Sequence, residues 1–250
     1  MSSVGSWAWA EETNGRLRRR DRVELLRQGM LVRLSMLPVP WRDAVVDDQT
    51  SFSIPEQPDS KLAREAEEQV RELSSPQLYG HCLRTWAFAA LFAQRDRVEH
   101  DPELLYLACI LHDLGLTPTH NCKDPDAECF AVEGARAASD LLRRSGESDD
   151  RTRTLAEAIS LHLNITVPER YGPEAVLLSK GVMLDVVGRR SSQISATATG
   201  SVIARWPRRG SSEDLLAGTA QQAKVRPASR AAFLQKLGFT ALVSGNPLDR

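Results

Sequence analysis

The chain has little that would tie it to a membrane, a secretory route or a nucleic acid. No stretch approaches the roughly 18 uncharged apolar residues of a membrane span. The N-terminus, MSSVGSWAWAEETNG, lacks the basic start and apolar run of a secretory signal, so a cytoplasmic location is expected. An excess of charge of one sign is also missing: 32 basic residues stand against 33 acidic ones, and nothing draws nucleic acid to the chain as a whole. The local cluster of Arg16, Arg18, Arg19, Arg20 and Arg22 reads as a solvated helix face. Cysteine is scarce. Cys82 and Cys109 sit in apolar helical runs, Cys122 and Cys129 in a polar segment, and no CxxC pair occurs, which speaks against a zinc knuckle or a disulfide framework. Strand alternation and internal repeats are absent as well, which disfavours a mixed fold.

What is present is a globular composition, 42% hydrophobic and 26% charged over 250 residues, long enough to bury roughly 70–75% of its unfolded surface. Helix signals dominate. Residues 1–15 read as a loose terminus, followed by helical spacing from Arg16 to Leu34; together residues 1–40 form an arm with a helix. The segment MLPVPWRDAVVDDQTSFSIPEQP, broken by four prolines, reads as a linker or extended stretch. From Asp59 the pattern strengthens, with Leu62, Ala66, Val70 and Leu73 sharing one face. Ser75-Pro76 and Asp101-Pro102 each place a cap before a proline at the first helical position, and Gly115 is the expected stop of the second of these helices. Further helices are expected over VEGARAASDLLRRSG, Arg153–Leu163 and GPEAVLLSKGVMLDVVG. Beyond Gly188, Ile194, Ala198, Val202 and Trp206 recur at every fourth residue, although a loop is an equal reading there, and two final helices follow in SSEDLLAGTAQQAK and SRAAFLQKLGF. The fold class is all-α.

The informative residues are polar ones in apolar company. Asp113 ends the run LLYLACILHDLG, Asp185 lies in GVMLDVVG, His162 in AISLHLNI, and His81 precedes Cys82 and Leu83. An unpaired buried carboxylate costs several kcal/mol, so two of them call for positive partners. No lysine or arginine lies inside CILHDLGLT or GVMLDVVG, so an ion-pair partner would have to fold in from a distance. One divalent transition metal bound by two carboxylates and two neutral imidazoles satisfies all four groups; mixed nitrogen and oxygen donors suit zinc, iron or manganese better than calcium. Four protein donors leave room for water only if coordination expands, which favours iron or manganese. His100 and His120 lie in polar surroundings and read as surface or loop residues.

The order His81, His112-Asp113, His162, Asp185 resembles the HD superfamily of metal-dependent hydrolases. PDSKLAREA, YGHCLRTW, LHDLGLT, FAVEGA, SLHLN and LDVVG resemble successive signatures of its cyanamide-hydratase-like branch. The likeness runs from about Trp41 to the C-terminus, so that residues 41–250 are expected to form an HD-type catalytic domain, an HD-domain-like helical bundle. The resemblance implies one metal held by His81, His112, Asp113 and Asp185, with His162 lining the pocket. Relatives often carry Phe-Glu where this chain has Phe130-Ala131; Glu133 is the nearby candidate to take over that role. The reaction so implied is hydration of a small nitrile such as cyanamide to urea through metal-activated water, with His162 and Glu133 moving protons or orienting substrate. Arg84, three residues after His81, is expected to support the ligands from behind. The alternative is a phosphohydrolase acting on a nucleotide or phosphate ester. That reading needs cationic clamps, and near the motifs only Arg84, Lys123 and Lys180 are candidates. A third is a metal-stabilised binding protein without turnover. The expected partner is a small-molecule substrate, with neither nucleic acid nor membrane; a homo-oligomer is left open.

Overall fold

The computed structural model describes residues 2–35, 52–120 and 129–249, with no account of the side chains of 31–35. Among the described residues there are twelve α-helices and no strand, so the chain is all-helical. No described helix is long and apolar enough to cross a membrane. Trp41, Cys122, Lys123 and most of the proline-rich segment lie outside the described residues.

Two helices carry the centre of the core. One, α4 (Pro76–Asp96), follows α3 (Lys61–Leu73); the other is α5 (Pro102–Leu111). Both begin as the caps dictate: the Ser75 hydroxyl accepts from the Leu78 amide at 3.1 Å and the Asp101 carboxylate from Leu104 at 2.9 Å. Every residue of α5 from Leu104 to Leu111 is buried, which is why that helix shows so little polar face in sequence. Around this pair pack α6 (Phe130–Arg144), α7 (Asp149–Leu161) and α8 (Pro173–Val187). The first of these ends before Gly146 as expected. The second starts earlier than its spacing suggests, because Ser148 caps it through the Arg151 amide.

Gly115 does not act as a helix stop. The α5 helix ends at Leu111, and Gly115 lies in a short 3₁₀ turn, Leu114–Leu116, pressed so closely on α6 that a Cβ there would collide with the Phe130 carbonyl. Gly181 plays the same part between α8 and α4: a Cβ on it would strike the Thr85 carbonyl oxygen. Gly188 does behave as a C-cap, in the left-handed conformation (φ 67°).

The N-terminal residues are ordered by burial. A short helix, α1 (Trp7–Thr13), is capped by Ser6, and its Trp9 and Ala10 are buried in a second apolar cluster with Leu17, Leu25 and Cys129–Val132. The buried Trp9 indole donates to Asp21 at 3.1 Å, at the start of α2 (Arg19–Ser35). In the arginine cluster, Arg18 pairs with Glu12 at 2.8 Å. Phe52 and Ile54 lie against the main core, so the end of the proline-rich stretch is packed down. At the other end come α9 (Ala196–Arg205), where helix and loop were equal readings, then α10 (Ser211–Val225), α11 (Arg230–Lys236) and α12 (Phe239–Ser244). The last two replace one expected helix because Gly238, at φ 90°, breaks the run.

Candidate metal centre

The helix ends and faces set out above bring three imidazoles and one carboxylate together. His81 lies on one turn of α4, His112 caps α5, Asp113 follows it, and His162 caps α7; all four are buried. His81, His112 and Asp113 each offer a donor atom within 4.8 Å of the others, a group able to hold a divalent metal. His162 Nε2 approaches the same carboxylate, 3.5 Å from Asp113 Oδ1.

The ring tautomers are fixed from behind. His112 Nδ1 lies 2.8 Å from the Cys109 carbonyl and His162 Nδ1 2.6 Å from that of Ile159, both acceptors, so each ring donates there. His81 Nδ1 lies 2.7 Å from Asp185 Oδ2 and donates likewise. Every Nε2 is thereby left facing the cluster, the arrangement in which a histidine is oriented as a ligand by a partner on its other nitrogen. The Nε2 atoms of His81 and His112 stand 3.2 Å apart. Two lone pairs at that distance repel unless a proton or a cation lies between them, so the residues present fit a metal.

Electrostatics point the same way. Burial alone would push His112 down, but the adjacent Asp113 carboxylate, 3.3 Å away, holds it well above the ordinary histidine range. Burial and the neighbouring His112 charge push His162 down to about 3, and burial lowers His81 against the pull of Asp185. Asp113 stays below the usual carboxylate range despite burial, through His112, His162 and His81. The cluster is thus built around one extra positive charge, supplied by a proton on His112 or by a metal in its place.

Asp185 is placed differently from the four-ligand expectation. Its carboxylate is taken by guanidinium groups: Arg84 Nε at 2.8 Å and Nη2 at 3.1 Å, and Arg208 Nη1 at 2.5 Å. It is not among the residues that line the cavity, and it belongs to the cluster only through His81. Arg84 does stand behind the ligands as expected, and it also reaches Ser211 Oγ at 3.0 Å. Arg208 was not foreseen, because it follows Asp185 by 23 residues with two further elements between.

Glu133 sits on α6 with its carboxylate 3.9 Å from Arg226, and it does not line the cavity. Lys180 pairs with Asp96 at 2.6 Å, away from the site. The cluster forms the floor of a cavity of about 180 Å³. Phe130 leans on the His162 ring with centroids 5.7 Å apart. The walls are apolar, and α2 contributes Leu26, Gly29 and Met30, from the part of the chain expected to be an N-terminal arm with a helix.

With this geometry in view, two comparisons bear on the chain. The HD domain family profile matches residues 78–196, a span that contains His81, His112, Asp113, His162 and Asp185. Two curated proteins of Saccharomyces cerevisiae, cyanamide hydratase DDI2 and cyanamide hydratase DDI3, are each 26% identical over 155 residues, 60% of this chain and 68% of theirs.

Proposed function

Residues 78–196 belong to the HD-domain family, and from that premise we propose that this chain is a metal-dependent hydratase that adds water to a small nitrile, with the conversion of cyanamide to urea as the reference reaction. The carrying observation is the floor of the cavity: three imidazole Nε2 atoms and the Asp113 carboxylate converge beneath apolar walls. The similarity to two cyanamide hydratases supports the same reading.

His81, His112 and Asp113 would hold the metal, which when bound supplies a water activated toward nucleophilic attack at neutral pH. His162 is the proton carrier. Its Nδ1 is fixed by the Ile159 carbonyl, so its Nε2 faces the cluster, where it can take a proton from the attacking water and return it to the nitrile nitrogen. Oxygen bonds to the nitrile carbon, one π bond of the C≡N group opens, and both hydrogens of the water end on the product amide, so nothing leaves. Asp185, with Arg84 and Arg208, keeps the His81 ring from turning. The walls keep bulk water from the neutral substrate.

A phosphate ester would bring two negative charges to a cavity whose walls offer, among the described residues, only the basic side chain of Arg189, which already donates to the Ile165 carbonyl at 3.0 Å. The test is a direct comparison on purified protein of urea formed from cyanamide and phosphate released from nucleoside monophosphates, alongside metal content. Urea formation that disappears in His112→Ala and persists in His100→Ala is expected. Phosphate release without urea would replace this reading by the phosphohydrolase one.

A further inference from the structure

Resting on the hydratase reading, we infer that the preferred substrate is a substituted nitrile or cyanamide: a neutral molecule carrying an apolar group of roughly four to six carbons beside its reactive carbon. The size of the cavity is the first argument. An apolar protein cavity of about 150 Å³ takes a benzene, so the space of about 180 Å³ here accommodates around seven non-hydrogen atoms. Cyanamide has three. The metal and the attacking water would take the part of the remainder at the histidine floor, and above them the walls are apolar and offer water few partners.

The lining is the second argument. Above the histidine floor stand Phe130, Ile165, Val182, Val186, Leu215 and Leu234, contributed by five separate parts of the fold, and Thr219 and Arg189 are the polar exceptions among the described lining residues. Arg189 spends one guanidinium nitrogen on a backbone carbonyl. A wall so composed selects by contact and desolvation rather than by hydrogen bonding, and it rejects charge. At the mouth, Leu26, Met30 and Leu242 line the cavity while remaining 43%, 61% and 43% exposed. The apolar lining therefore continues outward past the enclosed volume, so the group it receives is not sharply limited in length.

The third argument is where these walls come from. The floor lies wholly within residues 78–196, the matched HD segment, whereas Leu26, Met30, Leu215, Leu234 and Leu242 come from α2, α10, α11 and α12 outside it. Apolar side chains from outside the HD segment thus stand over the reactive floor, and they offer contact to a group larger than a three-atom substrate.

The experiment measures kcat/KM for cyanamide and for its N-methyl, N-propyl, N-butyl and N-benzyl derivatives, each of which would take up water to give the corresponding substituted urea. Calorimetry on the same metal-loaded protein measures binding of the urea products. Burial of each methylene is worth about fourfold, so kcat/KM and product affinity should both climb more than a hundredfold from cyanamide to the butyl compound. Val182→Phe, which narrows the cavity, should move the optimum to a shorter chain. Turnover of cyanamide with a fall along the series overturns this inference and leaves the hydratase reading standing. Failure of every nitrile together with phosphate ester turnover overturns that reading as well. Product affinity that is flat with chain length overturns the apolar-group inference whichever reaction is catalysed.

Discussion

Asp113 and Asp185 are both buried, both held ionised, and both embedded in apolar helical sequence, yet the structure neutralises them in opposite ways. Among the described residues, the ion-pairing partners of Asp113 are imidazoles, whose Nε2 atoms face inward toward one positive charge. Around Asp185 there are two guanidinium groups and one ring N–H, a set already balanced without any further ion. The difference separates what two carboxylates of equal burial can do. A carboxylate ringed by imidazoles can share a proton or a cation with them, whereas one held by two arginines is already paired.

The sharpest way to break this comparison is to remove each charge in turn. Asp113→Asn should strip the protein of its metal and reduce turnover by more than the roughly 10–100-fold that loss of an outer partner of a ligand costs; metal analysis and kcat/KM measure both. Retention of stoichiometric metal in this variant would contradict the role given to the carboxylate. Asp185→Asn should act chiefly on the fold. It strands Arg84 and Arg208 in the interior, and breaking a buried ion pair from one side costs about 3–5 kcal/mol. Thermal melts should show a loss with chelator and a somewhat larger one with added metal, because Asp185 also orients the His81 ring and such an outer partner is worth about 10–100-fold in metal affinity. A loss confined to the metal-loaded form would make Asp185 a ligand after all.

A third carboxylate sharpens the contrast at smaller scale. Glu157 is half-buried, accepts from the Trp7 amide at 3.1 Å, and has neither imidazole nor guanidinium beside it in the described structure. Burial raises its pKa above the ordinary value, against the Trp7 hydrogen bond and with help from Glu11. Because the folded value lies above the unfolded one, folding favours the protonated form, so this group's contribution is fully present below the usual pKa and is lost as pH rises through the raised one. The stability of Glu157→Gln relative to the parent should therefore improve between pH 4 and pH 7, as read from denaturant midpoints. A difference that stays constant over that range would remove the desolvated charge from the account. Asp185, depressed by its arginines, has the opposite sign: its contribution is present above the unfolded value and is lost in acid.

Local signals in the sequence carried well into the structure. Ser75-Pro76 and Asp101-Pro102 begin the two central helices because a cap and a proline act through neighbouring atoms alone. The convergence of His81, His112, Asp113 and His162 was legible for a related reason, since each stood out as a polar residue in apolar company. What escaped depends on contacts between distant segments. Arg208 reaches Asp185 only after the chain turns back through α9. Cys129, read as lying in a polar stretch, is buried because α1 and α2 cover it together with Phe130. The contribution of α2 to the cavity wall likewise follows from docking of a helix whose own spacing says nothing about its neighbour. Glu133 matched a candidate role by proximity in sequence, but its helical position turns it toward Arg226.

Gly181 makes the coupling between these regions mechanical as well as electrostatic. It touches the Thr85 carbonyl directly, four residues after His81 on one helix and four before Asp185 on the other. One helical turn separates the contact from each of the two side chains. The two helices therefore behave like the arms of a clamp whose pivot is a missing side chain, with the His81–Asp185 hydrogen bond at the tips. Inserting a single methyl at the pivot would spread the tips without altering any polar atom of the site. Loss of activity in such a variant would be a failure of spacing, and a compensating truncation on the α4 side cannot repair it, because the atom in the way belongs to the backbone.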